Sequence, residues 1–354
     1  MKTETAGRLA LVVVSVVATL FVLELGARLW RGPSWLLDWR NFVVDDRVPE
    51  KEARSVMPDR ELGIVGRPDF VKPPHSHDAQ GFRSMPPPPA AAAGRPPLLA
   101  TGDSYTYGAE AGDDESWPAY LQGLLGRRIV NAGVPGYGLD QTVLRSEKLV
   151  ATVRPAALIV SFIADDVHRL EMSLMWGRGK PYFVLAADDR LELRNVPVPP
   201  NPRIGSKLPL WERIFGWSIL ADVVRARLLY DQHEWFGDHV RALPQGMGER
   251  LVCPLMKRLA AIGVPTLVVA QYDPDMWLDK TRGPEERRVS RHVLGCAAEA
   301  GLATLDLFEP IDQTVRARGI RSLYGYNSEH HNADGNRLAA ERIAAELERR
   351  KMLP

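Results

Sequence analysis

The fold class this sequence predicts is a doubly wound, mostly parallel α/β sheet behind one N-terminal transmembrane helix. Two observations carry that prediction. Beyond about residue 95, short continuous apolar runs alternate with amphipathic segments, and near the N-terminus an uncharged apolar stretch, Leu9–Leu23 (LALVVVSVVATLFVL), stands alone. Continuous apolar runs are expected where helices cover both faces of a parallel sheet. Strand-then-helix order with right-handed crossovers gathers the strand C-terminal ends on one rim, where such sheets bind ligands.

The N-terminal element comes first, as a transmembrane anchor over residues 1–30. The apolar stretch resumes past Glu24 to Leu29. It reaches the roughly 20 apolar residues a membrane-spanning helix needs, provided Glu24 lies near an interface. Lys2 and Arg8 precede it and Arg28 and Arg31 follow, so flanking charge barely votes on orientation. A cleaved signal peptide is the rival reading; it would place Leu25 and Ala27 where two small residues are wanted, and an uncleaved anchor is preferred.

Residues 31–95 are rich in Pro, Arg and Asp and end in PPPPAAAAGRPP, which reads as an extended spacer. The α/β domain then runs over 96–354. Its strand candidates are Pro97–Ala100, Arg128–Val134, Ala157–Ile163, Val264–Ala270 and Leu302–Phe308. Its helix candidates are Trp117–Leu125, Gln141–Val153, Glu249–Ile262, Glu285–Ala300 and Asn332–Arg350. An insertion at about 170–247 breaks the alternation. It holds Trp176, Trp211, Trp217 and Trp235, and its Pro181–Val198 segment reads as a hairpin turning at Asp188-Asp189. The insertion either covers a site or packs a small satellite core.

Composition narrows the function. A net charge of +1, with 45% hydrophobic and 25% charged residues, is ordinary for a globular chain and offers no field toward nucleic acid. The two cysteines, Cys253 and Cys296, form no framework and no zinc spacing. Both fall in predicted helices, and the preferred reading is two buried free thiols, with one disulfide as the alternative.

The chemistry-bearing signal is Thr101-Gly102-Asp103-Ser104-Tyr105-Thr106-Tyr107-Gly108, directly after an apolar strand. A serine on a glycine-hemmed turn at a strand end exposes its Oγ at the rim, and the helix that follows offers N–H groups to developing negative charge. Two further blocks follow: Asn131-Ala132-Gly133-Val134-Pro135-Gly136-Tyr137-Gly138 after the second strand, and His330-His331-Asn332-Ala333-Asp334-Gly335 near the C-terminus.

In these three blocks the chain resembles the SGNH/GDSL hydrolases, over about residues 95–350. The resemblance implies a flavodoxin-like SGNH fold, Ser104 as nucleophile, His330 as its base, and an oxyanion hole from the N–H groups of Ser104 and Gly133. The apolar N-terminus and Gln80-Gly81-Phe82-Arg83 also resemble anchored, extracytoplasmic members that act on cell-envelope glycans. Two positions depart from the family pattern. Where its third block places an oxyanion-binding Asn, this chain has Asp165, which donates only if burial keeps it protonated. Where its triad Asp stands three residues before the histidine, this chain has Asn327; in the serine protease template such an exchange costs about 10⁴ in turnover. Glu329, His168 and Asp334 are other sources of the missing charge.

The functional expectation is a single-pass membrane protein with an extracytoplasmic serine ester hydrolase or acyltransferase domain. An anchored site suits O-acetyl groups of envelope polysaccharide, and short acyl lipids are a second substrate class. No metal or organic cofactor is called for, and no nucleic acid. The alternative is a non-catalytic glycan-binding or scaffolding relative, its site emptied by Asp165 and Asn327.

Overall fold

The computed structural model describes residues 2–32, 36–37, 39, 55–175, 178–199, 210–228, 246–325 and 330–353. The chain divides into two compact units: Met1–Glu52, Met172–Arg178 and Asn201–Ala242 form one, and the remainder forms the other. The smaller unit is built on α1 (Lys2–Arg31), whose Gly7–Trp30 segment is long and apolar enough to cross a membrane.

The larger unit opens with two antiparallel hairpins. β1 (Val56–Asp59) pairs with β2 (Gly63–Gly66), and β3 (Val71–Lys72) with β4 (His75–Ser76). Residues 55–85 are therefore not the extended spacer their composition suggests. Leu62 and Ile64 pack on Val134 and Tyr137, and Tyr137 Oη donates to Ile64 O at 2.6 Å. Gly81 lies back to back with Gly66: a Cβ on either would fall within 2.2 Å of the other's carbonyl oxygen. Gly81 also has φ +78°, so only glycine fits there. Among the described residues of 55–95, the proline tract keeps Pro86–Ala90 exposed throughout.

The central sheet comprises β5 (Leu98–Thr101), β6 (Ile129–Asn131), β7 (Ala157–Phe162), β10 (Thr266–Ala270) and β11 (Ala303–Asp306), all paired in parallel. Between β7 and β10 lies the hairpin of β8 (Tyr182–Leu185) and β9 (Leu191–Arg194), which turns through Asp188-Asp189 as expected. The sheet order is β11-β10-β7-β5-β6, the doubly wound, flavodoxin-like arrangement. Every residue of β5, β7 and β10 is buried, which is why these strands read as unbroken apolar runs. Alternate residues supply two cores. Leu99, Leu158 and Val268 face α4 (Leu139–Val153), α8 (Met247–Ala260) and α9 (Arg282–Glu299), whereas Leu98, Ile159 and Leu267 face α3 (Trp117–Leu125), α10 (Phe308–Arg318) and α11 (Ala333–Arg349). Each large apolar side chain so buried contributes about 1.5–3 kcal/mol.

One expectation is corrected here. Cys253 on α8 and Cys296 on α9 are not free thiols; they form a disulfide, with Cα atoms 4.7 Å apart. Spacing 43 residues apart in sequence carries no sign of that proximity; the packing of α8 on α9 creates it.

Candidate active site

β5 leads into the site without a break. Gly102 makes the turn after Thr101, and a Cβ there would meet Thr106 Oγ1 at 2.2 Å and Ser161 O at 2.5 Å. Asp103 then caps α2 (Ser104–Tyr107), accepting the Tyr105 N–H on Oδ1 at 3.0 Å. Ser104 is thus the first residue of a helix held rigidly at the rim, and it is 8% exposed.

The histidine arrives from the far end of the chain. Asn332 caps α11 by accepting the Gly335 N–H at 3.0 Å, which fixes the segment just before the helix. His330 Nε2 lies 2.8 Å from Ser104 Oγ, within reach for the hydroxyl to donate to the imidazole when the ring carries its proton at Nδ1. Burial, and then the positive charge of Arg169, push the His330 pKa down to about 4, so the ring is neutral near pH 7. Its neighbour His331 serves packing instead. It lies between the rings of Tyr105 and Tyr324, at 5.1 and 4.8 Å, and burial followed by the charge of His330 holds its pKa at about 3.

Gly133 packs under α2, where a Cβ would come within 2.4 Å of Tyr107 N. Its N–H donates to Asn131 Oδ1 at 3.1 Å, so it is held at the second strand's end with a partner already in place. Asp165 begins α5 (Asp165–His168) after β7. Its Oδ2 accepts from Arg169 Nη2 at 2.8 Å and its Oδ1 lies 3.5 Å from His168 Nδ1. A carboxylate so paired is an acceptor, not the protonated donor the sequence reading considered. Asn327 and Glu329 lie outside the described residues, and Asp334 sits in the first turn of α11.

Arg169 is the functional residue that sequence reading missed. Its guanidinium donates to Asp166 Oδ1 at 2.7 Å, to Tyr137 O at 2.8 Å and to Asp165, and it lies 3.7 Å from Asp103 Oδ2. Asp103 Oδ2 is itself 3.4 Å from Ser104 Oγ, so a buried cation stands one carboxylate away from the nucleophile. Burial pushes the carboxyls of Asp103 and Asp166 upward; Arg169 opposes this in both. The one available signal was the i, i+4 spacing of Asp165 and Arg169, which ordinarily marks a surface pair. Two more acids stand after β10, Asp273 part-buried and Glu286 buried: burial raises Asp273 to about 6 against the charge of Arg282, and burial with the charge of Asp273 raises Glu286 to about 9.

No family model and no curated relative matches the chain. Among solved structures it is similar to LAE5, an alpha/beta hydrolase enzyme from the metagenome of Lake Arreo, Spain, at 16% identity and TM-score 0.45, covering 73% of this chain and 96% of that one. It is also similar to TesA, at 15% identity and TM-score 0.43, over 72% of this chain and 99% of that one. A third is a catalytic mutant of Axe2, an acetylxylan esterase from Geobacillus stearothermophilus, at 14% identity and TM-score 0.44, over 72% and 94%. At such identities and scores these likenesses assign neither activity nor substrate.

Proposed function

We propose that the chain is a serine ester hydrolase of the SGNH/GDSL type, in which Ser104 attacks an ester carbonyl and His330 takes its proton. The observation that carries this reading is the 2.8 Å contact between Ser104 Oγ and His330 Nε2, made across 226 residues of sequence on the rim of a doubly wound sheet. As Oγ bonds to the carbonyl carbon, the hydroxyl proton passes to Nε2 and the carbonyl oxygen takes the negative charge. In this reading the N–H of Ser104, at the start of α2, holds it, joined by that of Gly133 once this leaves its bond to Asn131 Oδ1. Collapse expels the alcohol, which receives the proton from His330, and water or a sugar hydroxyl then takes the acyl group from Ser104. With Asp165 committed to Arg169, the third donor of the family's oxyanion hole has no counterpart in this reading. Asn327 remains the candidate for orienting His330 at Nδ1.

The same reading makes α1 a single-pass anchor and places the catalytic unit outside the cytoplasm, on ester-linked acyl groups such as O-acetyl groups of envelope polysaccharide. The disulfide supports that placement, since such bonds persist in oxidising compartments. An organophosphate probe tests the enzyme: it should label the wild type and not Ser104→Ala, which should also lose activity toward a short-chain ester. Equal labelling of the two would place the nucleophile elsewhere, and labelling of neither would move the chain to the non-catalytic alternative.

A further inference from the structure

Three ligands suited to a soft metal meet where α8 packs on α9. Along the chain α6 (Leu210–Phe215) and α7 (Ile219–Leu228) of the smaller unit come before this pair, which lies wholly in the larger one. Cys253 stands on α8, and His292 and Cys296 stand one turn apart on α9. One ligand atom from each residue, two sulfurs and a ring nitrogen, lie within 4.8 Å of one another. No zinc spacing announces this group in the sequence, because two helices from separate parts of the chain create it. Cys296 is buried and Cys253 half-buried, so the cluster borders solvent on the α8 side.

The imidazole is tied in the manner of a metal-bound histidine. Its Nε2 lies 3.2 Å from the carbonyl oxygen of Glu249, one turn before Cys253 on α8. Both ring nitrogens lie near Cys296 Sγ, Nε2 at 3.8 Å and Nδ1 at 4.0 Å. When the ring carries its proton on Nε2, that nitrogen donates to the carbonyl and Nδ1 keeps a lone pair for a metal. A backbone carbonyl on the other ring N–H is the contact that orients ligating histidines. The disulfide is not all that gathers these residues. Arg288, one turn before His292, donates to the two carboxylate oxygens of Glu249 at 2.7 and 2.6 Å, and Val252, Met256, Val293 and Ala297 of the same two helices share one core with Cys296. Opening the bond therefore leaves two thiols and an imidazole side by side.

We propose that the reduced form of this chain holds a zinc ion between Cys253, Cys296 and His292, a site that the disulfide closes in the oxidised form. Reduction by a dithiol, itself closed to a disulfide, passes two electrons and two protons to the cysteine pair and leaves two thiols. Zn²⁺ then displaces both protons, and a water completes the four ligands. Two thiolates and an imidazole favour zinc over the hard cations calcium and magnesium. Zinc bonds of about 2.3 Å to sulfur and about 2.0–2.1 Å to nitrogen set tetrahedral ligand atoms roughly 3.5–3.8 Å apart, so His292 needs little movement and the sulfurs need only part. None of the three residues belongs to the Ser104–His330 pair, so the metal state is independent of esterase activity.

The test uses the full chain in detergent micelles without air, reduced by a trialkylphosphine that leaves as its oxide after taking oxygen from water. Cobalt(II) is the visible probe, and zinc competes for it. The reduced wild type should take up a single cobalt ion with thiolate-to-cobalt charge-transfer bands, and zinc should bleach them. The oxidised chain should show no such bands. His292→Ala should weaken zinc binding by about 100-fold or more, since even lost orienting partners cost about 10–100-fold at such sites. Should that variant lose its helical circular dichroism, His292→Gln takes its place with the same expectation. A reduced wild type without the charge-transfer bands would overturn the site. So would a histidine variant that binds zinc as tightly as the wild type. Uptake that persists when Cys253→Ser and Cys296→Ser are combined would put the metal elsewhere and overturn it as well.

Discussion

His330 must be neutral to accept the Ser104 proton, so the acid limb of kcat/KM reports its pKa in the free protein. The structure places that limb far from the ordinary histidine value of 6.5, at about 4, through burial first and the Arg169 charge second. The consequence is largest near pH 5, where a pKa of about 4 leaves about 90% of the imidazole neutral and an unshifted ring would leave about 3%, roughly a thirtyfold difference in rate. Hydrolysis of an uncharged short-chain ester, followed by the alcohol released from pH 3.5 to 8, reads the limb directly. A limb near 6.5 would refute the argument, since it requires either a solvated His330 or a different base. Stability carries the same sign. The unfolded chain takes up a proton on this residue below about 6.5 and the folded chain does not until about 4, so stability is lost as pH falls through that window.

Two other variants probe the charges around the pair. Arg169→Gln should raise the acid limb, but not to 6.5 because burial is the larger cause, and should lower stability by about 3–5 kcal/mol in urea unfolding by stranding buried carboxylates. An unchanged limb would remove Arg169 from the electrostatics of the site. Asn327→Asp should raise kcat, by as much as about 10⁴ if the template of the serine proteases applies, measured with saturating ester. A slower enzyme would mean that asparagine is a working part of this site.

The sheet was legible because its strands are buried on both faces, so Leu98–Thr101, Ala157–Phe162 and Thr266–Ala270 appear in the sequence as apolar runs with nothing polar to interrupt them. Ser104 and His330 were legible for a different reason: each stands in a local block whose glycines or caps are tied to its geometry, as Gly102 and Asn332 are here. What could not be read depends on distant partners. The strands of 56–76 are two to four residues long and hold their place through Tyr137 and the Gly66–Gly81 contact, neither of which leaves a periodic mark. Arg169 looks like any surface arginine until β5, β7 and the 131–138 loop bring Asp103, Asp166 and the Tyr137 carbonyl around it. That same arginine changed the meaning of Asp165, from a donor in waiting to half of an ion pair.

The Cys253–Cys296 bond closes a loop over a sequence separation of 43, which includes all of β10 and the rim segment that carries Asp273. A polypeptide synthesised in a reducing cytosol would have the same sequence and yet be a different covalent object, with that stretch left without its covalent closure. The choice of expression host therefore decides which molecule is in the tube. Material made by export, or reoxidised and checked for free thiol, is the form in which this bond is closed.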